Sequence, residues 1–234
     1  MVRSDAVAVA DGVGGWETTE QADAALYSRL LLHNMAAELQ RLEDLGEKAE
    51  EFVKAEPVAV IARAFAGVVN VIGSCTTVLA LLRGNQLQVA TLGDAGLIMV
   101  RKGATVLRTK EQQHSFNFPF QLGTGSQSTP QDAAKQTIQV QEGDVLVTAT
   151  DGLFDNLFDA QILEIVESAL DKKTLAQFEP LEVSNRLVKA ASEVATDTRS
   201  CSPFETKAME QGLFFQGGKM DDISVVVSIV EKTI

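Results

Sequence analysis

The 234-residue sequence predicts an α+β fold. Strand-like and helix-like segments come in blocks rather than in strict alternation, and the turns between the central strands are too short to hold crossover helices. Hydrophobic residues make up 45% of the chain, enough for a substantial core. No Pro/Gly/Ser-rich linker divides the sequence, so one domain spanning residues 1–234 is expected.

The first strand is expected at residues 6–10, a run of Ala and Val that ends at Asp11. Leu31, Met35, Leu39 and Leu42 recur at helical spacing and predict a helix over about residues 20–42, with a second over 57–72. Strands are expected at 77–82, 87–92, 97–101 and 105–108. The turns between them, Arg83-Gly84-Asn85, Gly93-Asp94 and Lys102-Gly103, predict a single antiparallel meander. Residues 111–135 lack periodicity and are long for a structureless connection, which points to a surface flap beside a site.

Residues 138–140 and 145–150 are expected to pair as a hairpin through Glu142-Gly143-Asp144. Helices over 159–170 and 180–196 follow, the second with an apolar face of Val183, Leu187, Ala190, Ala191 and Val194. The final strand, 222–230, carries apolar residues on both faces and is expected in a sheet interior.

Composition excludes several functions. A formal charge of −12 argues against binding a nucleic-acid backbone, which needs clustered Lys and Arg. No run approaches the roughly 18 apolar residues of a spanning helix, and no basic-then-apolar signal opens the chain, so membrane insertion is not expected. Cys75 and Cys201 are too few for a disulfide framework and are not spaced as zinc ligands. An intracellular, reducing compartment and a monomer are the expectations.

The chemistry concentrates in acidic motifs at strand ends: Asp11-Gly12, Asp151-Gly152 and Asp221-Asp222, with Gly93-Asp94 and Asp155 beside them. One such pair is ordinarily a turn, but three at strand ends, two Asp-Gly and one Asp-Asp, suggest one site built on rigid elements. Carboxylate and carbonyl oxygens are hard ligands that suit Mg²⁺ or Mn²⁺ rather than zinc. Competing chemistries lack their residues. Neither cysteine has an arginine six positions on, where Leu81 and Lys207 stand, and there is no Gly-x-x-x-x-Gly-Lys-Ser/Thr phosphate loop. Trp16 is read as flanking the cleft or, at least as readily, as a packing or rim residue; Ser74, Thr76 and Thr77 as a buried strand start; and Lys219 as an exposed turn residue, with contact to a substrate phosphate as the alternative.

Asp11-Gly-Val-Gly-Gly, Gly73-Ser-Cys-Thr-Thr77, Gly93-Asp94-Ala95, Ala149-Thr-Asp-Gly-Leu-Phe-Asp155 and Gly218-Lys-Met-Asp-Asp-Ile-Ser224 follow one another in the order found in metal-dependent Ser/Thr phosphatases. The chain therefore resembles the PPM, or protein phosphatase 2C, family, and looks most like its T-cell-activation-7-type branch. The resemblance implies an α-β-β-α sandwich of two mainly antiparallel sheets flanked by helices, with a two-ion centre. It implies that Asp11 bridges both ions, the Gly12 carbonyl holds one, and Asp151 and Asp221 hold the other. Asp94 and Asp155 match positions that hold a third, weaker ion in some members, with turn hydrogen bonding as the alternative. The implied reaction is hydrolysis of phosphoserine and phosphothreonine in proteins by a water activated between two Mg²⁺ or Mn²⁺ ions.

Two departures from the family pattern stand out. Val13 occupies the place where the family commonly has a histidine to protonate the leaving group, which leaves His114, in the flap, as the candidate acid beside a metal-bound water; His33 is assigned to a solvent-facing helix position. Only ten residues precede Asp11, so the additional first strand of the family is expected to be missing. These departures keep open the alternative of a weak or inactive phosphatase-like module that binds phosphoproteins. Hydrolysis of a small phosphorylated metabolite is a further possibility for the same centre. By resemblance a mitochondrial or plastid address is compatible, with any targeting segment upstream of Met1.

Overall fold

The computed structural model describes residues 1–16, 18–46, 50–170 and 177–232. The chain divides into two compact units, one formed by residues 1–95 and 111–139 and the other by 96–110 and 140–234.

In the first unit, β1 (Ala6–Gly12), β2 (Ser74–Arg83) and β3 (Gln86–Leu92) pair antiparallel, and β9 (Ala134–Gln139) joins the far side of β3. Alternation places Ala6 and Ala8, Leu79 and Leu81, and Ala90 and Leu92 on one face. There they share a core with α1 (Ala24–Asp44) and α3 (Pro57–Ala66) through Leu31, Met35, Leu39, Leu42 and Ile61. The opposite face, with Val7, Val9, Val78 and Val89, is buried as well. Helix α1 starts later than expected because Gln21 takes a positive φ and Asp23 caps the helix, its carboxylate accepting from the Leu26 N–H at 2.7 Å. A short α2 (Glu50–Val53) lies between the two, and α3 stops at Gly67, so residues 68–72 are not helical as expected.

In the second unit the strand order is β11 (Val225–Ile229), β10 (Val145–Ala149), β4 (Gly96–Arg101), β5 (Ala104–Arg108), again antiparallel. Ile98, Val100, Val145, Val147, Ala149 and Val227 pack against α5 (Asp159–Leu170) and α6 (Pro180–Ala195) through Ile162, Val166, Val183, Leu187 and Ala191. Short helices α4 (Asp151–Phe154) and α7 (Pro203–Glu210) complete the unit.

Several expectations are corrected. The meander is broken at Gly93-Asp94, with β2 and β3 in one sheet and β4 and β5 in the other. Gly93 sits at φ +97°, and a Cβ there would lie 2.5 Å from the Phe120 carbonyl oxygen, so the chain bends away from its own sheet. Likewise β9 and β10 are not a hairpin: β9 pairs with β3, and β10 lies between β11 and β4. The flap holds short strands β6 (Gln113–Ser115), β7 (Phe118–Pro119) and β8 (Leu122–Gly123) and a 3-10 turn at Pro130–Asp132. Finally, among the described residues β11 is an outer strand rather than an interior one. Its two-sided apolar character is met by half-burial, with Val227 alone fully buried, and the Val227 N–H donates to Ser184 Oγ on α6 at 3.1 Å.

Candidate metal centre

In the second unit, β10 runs straight into an acidic cage. Thr150 ends the strand, its hydroxyl donating to the Asp222 carbonyl at 3.1 Å and accepting from the Ser224 N–H at 3.0 Å. Those bonds hold the Asp221-Asp222 segment beside Asp151. Gly152 permits the approach, because a Cβ there would lie 2.3 Å from the Asp222 carbonyl oxygen. The turn of α4 brings Asp155 round to the same side, one helical turn beyond Asp151.

Three carboxylates then face one ammonium. Lys219 Nζ donates to Asp151 Oδ2 at 2.6 Å and Asp155 Oδ2 at 2.8 Å, and lies 2.9 Å from Asp221 Oδ2. The other Asp155 oxygen, Oδ1, accepts from Lys207 Nζ of α7 at 3.2 Å. The Lys219 ammonium also stands 5.1 Å from the centre of the Phe204 ring. Lys219 is therefore not the exposed turn residue expected; its side chain is 16% exposed. The misassignment has a simple cause, since its partners Asp151 and Asp155 lie more than sixty residues away in sequence.

The electrostatics are unbalanced. Burial pushes the Asp151 pKa up; Lys219 pulls it back, and the neighbouring Asp155 and Asp221 charges push it further up. For Lys219, burial alone would lower the pKa, but Asp155 and Asp151 outweigh it and hold the ammonium charged. A site with this excess of carboxylate oxygen, fixed at a strand end, has the donor set of a hard divalent cation. The residues present fit a Mg²⁺ or Mn²⁺ ion.

In the first unit, Asp11 and Gly12 close β1, in register with Thr76 and Cys75 of β2. Gly12 is required by contact: a Cβ would lie 2.7 Å from the Ala24 carbonyl oxygen at the start of α1. Burial pushes the Cys75 thiol pKa up, and the Asp11 charge adds to the shift. Asp94 is buried at the bend after β3.

A family model described as Stage II sporulation protein E (SpoIIE) matches residues 6–228. A probable protein phosphatase 2C of Arabidopsis thaliana, number 80, is 37% identical over 96% of this chain and 51% of its own length. The human protein phosphatase PTC7 homolog is 36% identical over 97% of this chain and 75% of its own length. Among solved structures, the photosystem II phosphatase PBCP matches with a TM-score of 0.81 and 30% identity, over 97% of this chain and 87% of that one. The catalytic domain of the phosphatase PstP, solved with two manganese ions, matches in fold with a TM-score of 0.63 at 19% identity, over 97% of this chain and 88% of that one. The chain belongs to the protein phosphatase 2C family. It has that family's fold of antiparallel sheets flanked by helices, and it spans about half the length of the Arabidopsis relative.

Within this protein phosphatase 2C domain, the remaining predicted site residues have defined places. His114 lies in the β6–β7 hairpin, stacked on Phe120 at 4.2 Å between ring centres, with Nε2 3.4 Å from Ser128 Oγ. The Val13 N–H donates to the Ser74 carbonyl at 3.0 Å, and Trp16 Nε1 donates to Ser74 Oγ at 3.1 Å.

Sequence reasoning missed Asn156, Phe204 and Lys207. Asn156 is fully buried and grips the cage loop in both directions: Nδ2 donates to the Gly152 and Lys219 carbonyls, and Oδ1 accepts from the Lys219 N–H, all at 2.9 Å. An amide set between the core residues Leu153, Phe154 and Leu157 was the available signal, because a polar group in such a run needs partners.

Proposed function

We propose that this domain hydrolyses phosphoserine and phosphothreonine in proteins, using divalent cations held by Asp151 and Asp221 together with Asp11 and the Gly12 carbonyl. The single observation that carries the metal reading is the surplus of carboxylate charge in the Asp151–Asp155–Asp221 cage at the end of β10. Family membership supports the substrate class, and a relative with this fold was solved with two manganese ions.

When bound, such cations would lower the pKa of a coordinated water and screen the phosphate charge. The protein's own part is placement. β10 and the Thr150 hydroxyl fix Asp151 relative to the segment carrying Asp221. Asn156 fixes the loop between them, so the ligands need little reorganisation when cations arrive. His114 is the side chain proposed as proton donor to the leaving oxygen.

The test is turnover of a phosphothreonine peptide by protein stripped with EDTA and then reloaded with Mn²⁺. Activity is expected only after reloading, and equal rates with and without metal would end this reading. A second reading, a phosphoprotein-binding module of weak activity, is favoured by Val13 at the place of the family's usual histidine. Mn²⁺ binding with no metal-dependent turnover would select it.

A further inference from the structure

Lys219 takes no part in the chemistry proposed above, yet its ammonium and its backbone are both firmly held. Its ammonium donates to Asp151 and Asp155 at 2.6 and 2.8 Å and forms an ion pair with Asp221 at 2.9 Å, so three carboxylates surround it. Its backbone is clamped on both sides by Asn156. The preceding residue, Gly218, is wedged so tightly that a Cβ would lie 2.0 Å from the Val194 carbonyl oxygen. The segment carrying Lys219 cannot swing away without breaking these contacts.

Asp155 shows the consequence. One of its oxygens is on Lys219 and the other on Lys207, so two ammonium groups neutralise a carboxylate that is 6% exposed. Asp151 and Asp221 differ, because each makes an ion pair through Oδ2 only. Among the described residues, Asp155 has both Lys207 and Lys219 beside it, whereas Asp151 and Asp221 share Lys219 alone.

We propose that Lys219 is a tethered resident cation that permanently fills the Asp155 side of the cage, so that Asp155 takes no metal ion of its own. Lys219 is then a positioning residue: it draws Asp151 and Asp221 together and leaves Asp151 Oδ1, and the side of Asp221 Oδ1 not taken by the Asp222 N–H, to exchangeable ions. This inference rests on the metal-centre reading and assigns Asp155 against its possible role as ligand to a third ion. A divalent cation beside Asp155 would meet an ammonium already in place, and like charges at that range repel strongly in a buried setting.

The experiment counts Mn²⁺ ions bound per chain, by calorimetry and by metal analysis after gel filtration, in the wild type, Asp155→Asn, Lys219→Met and the double variant. Asp155→Asn is expected to bind as many ions as the wild type, with affinity changed less than about threefold. Lys219→Met is expected to gain one ion, and the double variant to lose that gain. A lower count in Asp155→Asn, or no gain in Lys219→Met, would overturn the proposal. If Lys219→Met does not fold, the Asp155→Asn count decides alone. A wild type that binds no Mn²⁺ would instead remove the metal-centre reading, and this inference with it.

Discussion

Strand β10 has an aspartate beyond each end, and the two ends are opposites. Before the strand, Asp144 is 1% exposed in its side chain and meets Arg101 through two parallel bonds of 2.7 Å, while one oxygen also accepts from the Gln141 N–H at 2.7 Å. The carboxylate and the guanidinium meet in a matched two-bond pair. After the strand, Asp151 shares a single clamped ammonium with two other carboxylates. Burial and ion pairing are common to both ends, so neither marks a functional site by itself. The stoichiometry of charge does.

The same substitution at each end gives the sharpest contrast. Asp151→Asn is expected to lower metal-dependent turnover at least about 100-fold while leaving the melting temperature of the metal-free protein unchanged or higher, because it relieves like-charge crowding. Steady-state kinetics and a thermal melt in EDTA check both halves. A large loss of metal-free stability would put the two ends in the same class.

Asp144→Asn is expected to do the reverse, costing about 2–3 kcal/mol of stability in urea unfolding with turnover below the melting range preserved. The figure sits below that for a fully buried pair because the Arg101 side chain is 22% exposed. Asn156→Ala should fall between the two, costing about 2 kcal/mol through three lost hydrogen bonds, one buried and two part-buried, and weakening Mn²⁺ affinity roughly tenfold as the Lys219 segment loosens. Mn²⁺ titration by calorimetry measures the second effect, and unaltered affinity would show that Asn156 serves the fold alone.

The smallest effect concerns the thiols. Cys201 is exposed and should react with a thiol reagent in the native state, whereas Cys75 should react only on unfolding. Burial keeps the proton on Cys75 in the fold, so its contribution to stability is complete below the ordinary thiol range and declines as pH rises above it. Equal labelling rates for both cysteines would contradict this.

The strands and helices with strong local patterns were legible: α5 falls on residues 159–170 as expected, and β2 to β5 lie within a few residues of their predicted places. Sheet membership was not. A two-residue bend such as Gly93-Asp94 states that the chain turns, but whether the next strand returns to the same sheet depends on Phe120 and Thr76 crowding the bend from elsewhere in the chain. Strands of two or three residues, as in β6 to β8, are too short for any periodicity to register. In the site, the acidic motifs announced themselves through Asp-Gly pairs after strand-like runs and an Asp-Asp pair before one. Lys219 did not, because a lysine between glycine and methionine is locally indistinguishable from a solvated one, and only folding supplies its carboxylates.

The bond from Val227 to Ser184 has a consequence for solubility. An outermost strand rich in valine is a template on which a strand from another molecule can align, the first step toward aggregates. By engaging one of its free amides with a helix hydroxyl, the protein blunts that template at the middle of β11, where an intruding backbone would need the longest continuous ladder.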